Sequence, residues 1–277
     1  MRRAALAALL LLAGCGGQQA APAPRTPLAG LPRVMSLNPC IDAILVEVAD
    51  PAQILSISHY SHDPSATSIP LAVARRFPAN AETAEEVVAL RPDLVLLGAH
   101  VAPATQRAIR DVGVTIESVG VPATIEESRQ QVLQVARAVG HPERGKALLA
   151  RIDAALAAAR PGKGEAPVPT LIRLGGGLVP GQETLADELL MRVGFRNMSA
   201  DYGLAMWDIL PLEPMIARPP RLLLTDRTAS GVQQGLIDRV PGVRVADFPG
   251  RLLQCAGPNL IEASARLAAI RREAGRI

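Results

Sequence analysis

The chain has 277 residues, of which 49% are hydrophobic and only 2% aromatic, and its formal charge is +3. A core must therefore be built from Ala, Leu, Val and Ile. Near-neutrality with dispersed basic residues, and few rings, exclude the electrostatic footprint and the stacking platform that nucleic-acid binding needs.

Arg2 and Arg3 precede an apolar run over residues 4–13 that ends in Gly14 and Cys15. The run is shorter than the roughly 20 residues a membrane span requires and has the layout of a secretory signal. Leu12-Ala13-Gly14-Cys15 resembles the bacterial lipobox. That resemblance implies a signal peptide over residues 1–14, cleavage before Cys15 and lipid on its sulfur. Residues 15–32, rich in Gly, Gln, Ala and Pro, read as a lipid-anchored tether. Loss of Arg2 and Arg3 lowers the net charge to about +1. The remaining length suits one large domain or two lobes.

The body opens with strands expected at 34–37 and 54–57, separated by helical spacing over 40–49. A helix over 82–90 stops ahead of Pro92, and the apolar run 94–97 reads as a parallel strand buried on both faces. A helix over 104–112 and a strand over 114–119 follow. Strands alternating with helices of about ten residues predict a parallel sheet covered on both sides. Thr124 and Glu127 form a capping-box pattern for a helix ending at Gly140, and Pro142 starts another that runs to Arg160. Nineteen residues give a rod of roughly 28 Å, read either as a strut between lobes or as a surface helix of one domain. The α/β pattern then restarts, with strands at 170–174, 222–224 and 243–245 and helices at 187–193 and 262–276.

Two stretches repeat. Glu85 through Leu96 and Glu213 through Leu224 both run acid, short helix, Pro, apolar strand, in one register. Asp42-Ala43-Ile44-Leu45 pairs with Asp187-Glu188-Leu189-Leu190. Repeats of this kind predict two similar lobes.

Residues 33–64, 85–97 and 184–224 resemble the periplasmic substrate-binding proteins of ABC importers for cobalamin, ferric siderophores and haem, the class with one connecting helix. The pieces that carry the resemblance are Glu85 through Arg91-Pro92-Asp93-Leu94, the Trp207 to Glu213 spacing, and Thr184 through Leu190, and they are nearest the cobalamin branch. The resemblance implies two Rossmann-like α/β lobes (33–140 and 163–277) joined by a helix (141–162), with a ligand cleft between them. It implies no catalysis, a small-molecule ligand such as a corrinoid or other metal chelate, no resident cofactor, and a monomer. An ABC permease and ATPase complex would be the partner, at the periplasmic side of the bacterial inner membrane. Glu85 and Glu213 match glutamates that dock on arginines of the permease, an interaction suited to charge-assisted hydrogen bonds. The plainer reading makes each a helix-start carboxylate favoured by the dipole.

Ligand contacts are expected on loops after strands, facing the gap. These loops carry Asn38, Cys40, Tyr60, His62, Asp63 and His100 in the first lobe, and Tyr202, Trp207, Arg227 and Arg251 in the second. The rings of Tyr60, Tyr202 and Trp207 either stack on a flat ligand or pack locally. His59, His62 and His100 either ligate a metal or stay as solvent-exposed hydrogen-bonding groups. Cys40 and Cys255 are open to three states: free thiols, soft metal ligands, or a disulfide, the last disfavoured here because it would restrict opening of the cleft. Competing functions are a free metal-ion binder, an exported enzyme, and a sensor that lost transport. Against an enzyme, no Gly-x-Ser-x-Gly, Walker loop or His-Glu-x-x-His occurs, and Gly175-Gly176-Gly177 lacks the Lys and Ser/Thr of a phosphate loop.

Overall fold

A computed structural model describes residues 30–226 and 240–274. The signal segment, Cys15, most of the tether and Arg227 lie outside the described residues. The first half holds strands β1 (Val34–Leu37), β2 (Ile54–Ser58), β3 (Ala79–Asn80), β4 (Leu94–Gly98) and β5 (Thr115–Val119). They form one sheet in the order β3-β2-β1-β4-β5, parallel throughout. Every residue of β1 and β4 is buried, as expected of strands with helices on both faces. Helices α1 (Pro39–Val48), α2 (Leu71–Ala74), α3 (Ala84–Leu90), α4 (Pro103–Asp111) and α5 (Ile125–Ala138) supply the cover.

Local chemistry sets the helix starts. Thr83 and Glu86 form a reciprocal capping box on α3. On α5, Thr124 Oγ1 accepts the Glu127 amide at 3.1 Å, but the Glu127 carboxylate reaches one residue further back, to the Ala123 amide at 2.7 Å. The next helix, α6 (Pro142–Ala158), begins at Pro142 as expected and has 17 residues, ending two short of Arg160.

The second half repeats the plan. Strands β6 (Val168–Ile172), β7 (Leu178–Pro180), β8 (Phe195–Asn197), β9 (Trp207–Ile209), β10 (Leu222–Thr225) and β11 (Arg244–Asp247) alternate with α7 (Leu185–Arg192), α8 (Leu212–Ala217), α9 (Arg251–Gln254) and α10 (Asn259–Ala274). The main sheet runs β11-β10-β6-β8, all parallel, and β7 with β9 forms a small antiparallel ribbon. The molecule is thus two α/β halves with parallel sheets. Both sequence repeats fall on equivalent places. The first covers α3-β4 and α8-β10, each strand being the neighbour of its half's first strand. The second covers α1 and α7, which precede β2 and β8.

The connecting helix is more than a strut. Leu148, Leu149, Ile152 and Leu156 on α6 are buried in one core that contains Ile44 and Val132 from the first half and Leu189, Phe248 and Leu260 from the second. α6 packs against α5 on one side and α10 on the other, and also touches α1. The sheets' outer faces carry separate small clusters, one around Met35, Val87, Val95 and Ile109 and one around Leu171, Met215 and Leu223.

Asp42 on α1 is fully buried, its Oδ2 accepting the Ser58 amide at 3.0 Å and the Ser61 hydroxyl at 2.6 Å. Burial pushes its carboxyl from 3.8 up to about 8, outweighing hydrogen bonds from Ser36, Ser61 and the Ser58 amide that favour the anion. The folded state therefore holds a proton that the unfolded chain releases near 3.8. The stability gained from it is complete below that value and is lost as pH rises toward 8. Thermal unfolding of the native chain should accordingly weaken across that window, while Asp42→Asn flattens the dependence. Near neutral pH the variant should be more stable by roughly 1–3 kcal/mol, from about 1.4 kcal/mol per pH unit less the imperfect fit of the amide. Equal slopes for the two proteins would contradict a protonated Asp42.

Candidate functional site

In an open parallel sheet the chain leaves its first strand toward both edges, and the crevice at that switch point is where ligands bind. In the first sheet the switch lies between β1 and β4, so the residues above it are Asn38 and Gly98. In the second it lies between β6 and β10, beneath Leu174-Gly175 and Asp226. All five residues line one cleft of about 1090 Å³ between the halves. That is at the upper end of small-molecule sites, roughly 300–1,000 Å³. Strand order, which is a property of topology, has brought two crevices to one place.

Each wall has a local cause. Asn38 caps α1, its Oδ1 accepting the amides of Cys40 at 2.9 Å and Ile41 at 3.1 Å. Its Nδ2 sits over Gly98, where an added Cβ would lie 2.6 Å from it and 2.8 Å from the His100 ring. Any larger residue at 98 would push the ends of the Asn38 and His100 side chains aside. On the opposite rim Gly181 lies against the Met206 carbonyl so closely that a Cβ there would overlap its oxygen. The crossing is fixed by the Gln182–Ala205 bridge and the Gly181 amide bond to Met206. It flanks two non-glycine residues at positive φ, Glu183 at 60° and Met206 at 49°. Strained backbone of this kind survives where the surroundings over-determine it, often at ligand clamps. Both side chains line the cleft, next to Trp207 on β9.

The floor is covalent. Cys40 and Cys255 are joined by a disulfide, with Cα atoms 5.0 Å apart and a sequence separation of 215. This overturns the expectation that a bond across the cleft is the least favoured state of these cysteines and removes both as soft metal ligands. Arg251, one turn earlier on α9, faces the cleft while its guanidinium pairs with both carboxylate oxygens of Glu262. Those bonds hold its pKa above the ordinary arginine value, and the charges of Glu262 and Asp226 add to the effect.

Of the residues expected at the site, Asn38, Cys40, Trp207 and Arg251 line the cleft, and Tyr60, His62, Asp63, His100 and Tyr202 do not. Tyr202 packs on the second half's outer cluster, its hydroxyl donating to the Arg218 carbonyl at 2.6 Å, and burial pushes its pKa up. Asp63 turns onto its own loop. Its Oδ1 accepts the Ser65 amide at 2.8 Å and the Ser65 hydroxyl at 2.7 Å, which holds its carboxyl below the ordinary value. Only Pro64 and Ser65 of that loop reach the cleft. Tyr60 is exposed against the His59 ring.

The histidines do not converge. His59 Nδ1 lies 3.1 Å from the Asn80 carbonyl, and His100 Nε2 lies 3.8 Å from Glu82. His62 Nε2 is buried. Among the described residues no group of three or more His, Cys, Asp or Glu can hold a metal ion, and His59, His62 and His100 form no such group. Reasoning from the sequence missed Val121, Gln131 and Glu183 in the lining, while Met206 lies in the segment from Tyr202 to Trp207 that was expected to face the ligand. Gln131 alone carried a signal, as an amide on the apolar face of α5, where it is buried and donates to the Gly120 carbonyl at 2.8 Å.

Solved structures with this architecture include the periplasmic heme-binding protein BhuT in complex with two hemes. It is 25% identical, with 86% of this chain and 98% of that one covered and a TM-score of 0.68. The heme-binding protein RhuT from Roseiflexus sp. RS-1 is 25% identical over 87% and 99% of the two chains, at 0.69. The vitamin B12 binding protein BtuF of Vibrio cholerae is 18% identical over 89% and 99%, at 0.68, a likeness of fold. No curated protein matches the chain. Residues 34–244 match the family model described as periplasmic binding protein. With two parallel-sheet halves, a cleft at their paired switch points and that match over most of its length, the chain belongs to the periplasmic binding protein family.

Proposed function

We propose that this protein captures a corrinoid, or a related chelate whose metal is already fully coordinated, and delivers it to an ABC importer without turnover. The observation that carries the ligand class is the donor set of the cleft. Among the described residues its lining has no His and no Tyr, and residues 227–239, outside them, contain neither. Haem iron needs an axial ligand from the protein, and the one soft donor on the lining is the Met206 thioether. A metal that brings its own coordination shell needs none. What the cleft offers instead suits a large, flat guest with polar edges. It is mostly apolar, with the Trp207 ring 42% exposed on one wall and Arg251, Asn38 and Gln254 at the margins.

A second reading is haem, supported by the two haem-binding proteins at 25% identity. A ferric siderophore also arrives with its metal coordinated, and fits the same walls.

Delivery rests on Glu85 and Glu213. A helix that precedes a strand of a parallel sheet runs antiparallel to it, so its first turn lies at the sheet's carboxyl edge. α3 and α8 therefore raise Glu85 and Glu213 at the level of the cleft, one on each half, and both are exposed. Each acid has an exposed apolar neighbour three residues on, Val88 at 49% and Ile216 at 51%, and a buried anchor two residues on, Val87 and Met215. Two matched acid-and-apolar tips suit a partner that is itself two-fold, such as a permease dimer with arginines at each tip. Lipid on Cys15 would hold the monomer at the periplasmic face of the inner membrane and raise its effective concentration at the importer. Among the described residues no helix is long and apolar enough to cross a membrane.

Because Trp207 is the chain's single tryptophan, cleft occupancy has an intrinsic reporter. Titration with cyanocobalamin should quench its fluorescence in parallel with calorimetric heat, while haemin and ferric siderophores bind more weakly. Trp207→Ala should weaken the preferred ligand about tenfold, the loss of one stacked ring. Tight binding of haemin alone would displace the corrinoid reading. In cells, Glu85→Ala combined with Glu213→Ala should abolish uptake and leave ligand affinity within about twofold, since neither residue faces the cleft. Normal uptake by that double variant would remove the docking role.

A further inference from the structure

The two halves meet at the cleft floor through ties that differ in kind from ordinary packing. The Cys40–Cys255 bond is one. Two residues beyond it, the buried Gly257 amide donates to Ser128 Oγ on α5 at 2.9 Å. Beside the cleft, the Ile125 amide at the start of α5 donates to Glu188 on α7 at 2.6 Å. The opposite situation holds at the rims, where Val121 from one half and Met206 and Trp207 from the other are exposed.

The cystine is wired to the ligand walls on both sides. Cys40 gives its amide to Asn38, the switch-point residue of the first half. Cys255 follows α9 directly, and α9 carries Arg251 and Gln254 into the cleft. Any change in the spacing of the two cysteines would therefore move Asn38 relative to Arg251.

We propose that the Cys40–Cys255 cystine is a positioning element of the ligand site, a covalent strut that sets the distance between the two switch points and confines relative motion of the halves to the rims. This rests on the cleft being the ligand site. Fixing the walls before the ligand arrives lowers the ordering cost of binding. A cross-link closing so long a loop also stabilises the fold by restricting the unfolded chain, so a loss of global stability does not distinguish the strut from a plain staple. Local opening in the native state does.

The test compares the full native chain with Cys40→Ser/Cys255→Ser, first without ligand and under conditions where both are folded. The strut predicts hydrogen exchange faster by about tenfold or more in the segments around Cys40 and Gly257, with the sheet strands unchanged, and a larger radius of gyration by X-ray scattering. Exchange that rises uniformly with global unfolding, at unchanged size, would overturn it. Should the double variant fail to fold, the native chain reduced and alkylated under native conditions gives the same readout. A ligand arm with cyanocobalamin and haemin as probes should show about tenfold weaker binding by the variant of whichever probe the native chain takes. Equal affinities would count against the strut. The ligand-free arm decides the inference even where neither probe binds, an outcome that bears on the corrinoid reading alone.

Discussion

The arrangement depends on one constraint, that a single helical layer serves as the inner wall of both sheets. α1, α5, α6 and α10 bury their apolar faces in a core shared between the halves. Neither half completes its packing without that layer. In proteins whose domains meet across a small polar interface, relative motion is the default. Here the interface is a continuous apolar core, and it resists shear as close-packed interiors do. The position of one switch point relative to the other is therefore held by this packing, together with the Cys40–Cys255 tie at the cleft floor, and not by the length of a linker. The cleft is the remainder of space left above that layer.

This explains where polar chemistry collects. Core positions nearest the cleft are occupied by groups satisfied internally, such as Gln131 on the Gly120 carbonyl and Ser128 under the Gly257 amide. Two strained residues, Glu183 and Met206, sit one step out, on the rim, where Gly181 and Met206 cross. Asp42 is the exception, a carboxyl held inside by Ser58 and Ser61 and kept protonated by its surroundings. As a neutral acid it costs the fold little only below about pH 3.8 and progressively more as the pH rises toward 8, and it ties α1 to the loop after β2.

The sheets were legible because a parallel strand covered on both faces has an unmistakable composition. Val34–Leu37 and Leu94–Gly98 are near-continuous apolar runs, and Pro92, Thr124 and Pro142 mark helix boundaries. The two-residue β3 and the ribbon of β7 and β9 were not, since three residues including Pro180 carry no periodicity. At the site, position in the chain showed which loops end over the sheets but not which way their side chains turn. Asn38 and Trp207 point inward, while Tyr202, on an equally placed loop, found the Arg218 carbonyl outside. Asp63 was similarly captured by Ser65 two residues away. Glu183 and Met206 had no local signal, because their backbone conformation is imposed by a crossing of segments more than twenty residues apart. The pairing of Cys40 with Cys255 is of the same kind. A spacing of 215 residues says nothing about a distance that only the fold determines.

The internal repeat carries the last step. If the two halves were alike only because parallel sheets are built alike, the resemblance would be confined to buried strands. It extends instead to an exposed acid and an exposed apolar residue three positions later on α3 and α8, surface features that packing does not require. If the docking proposed for Glu85 and Glu213 holds, a partner meeting both halves in the same way would itself present two equivalent faces. The shared helical layer then has a second consequence. By holding the switch points in register it also holds the two tips in register, so the span presented to such a partner is fixed by the same packing that shapes the cleft. Closure of the rims over a ligand would alter that span only slightly, and recognition of the loaded form would have to depend on small displacements of α3 and α8 read by a rigid counterpart.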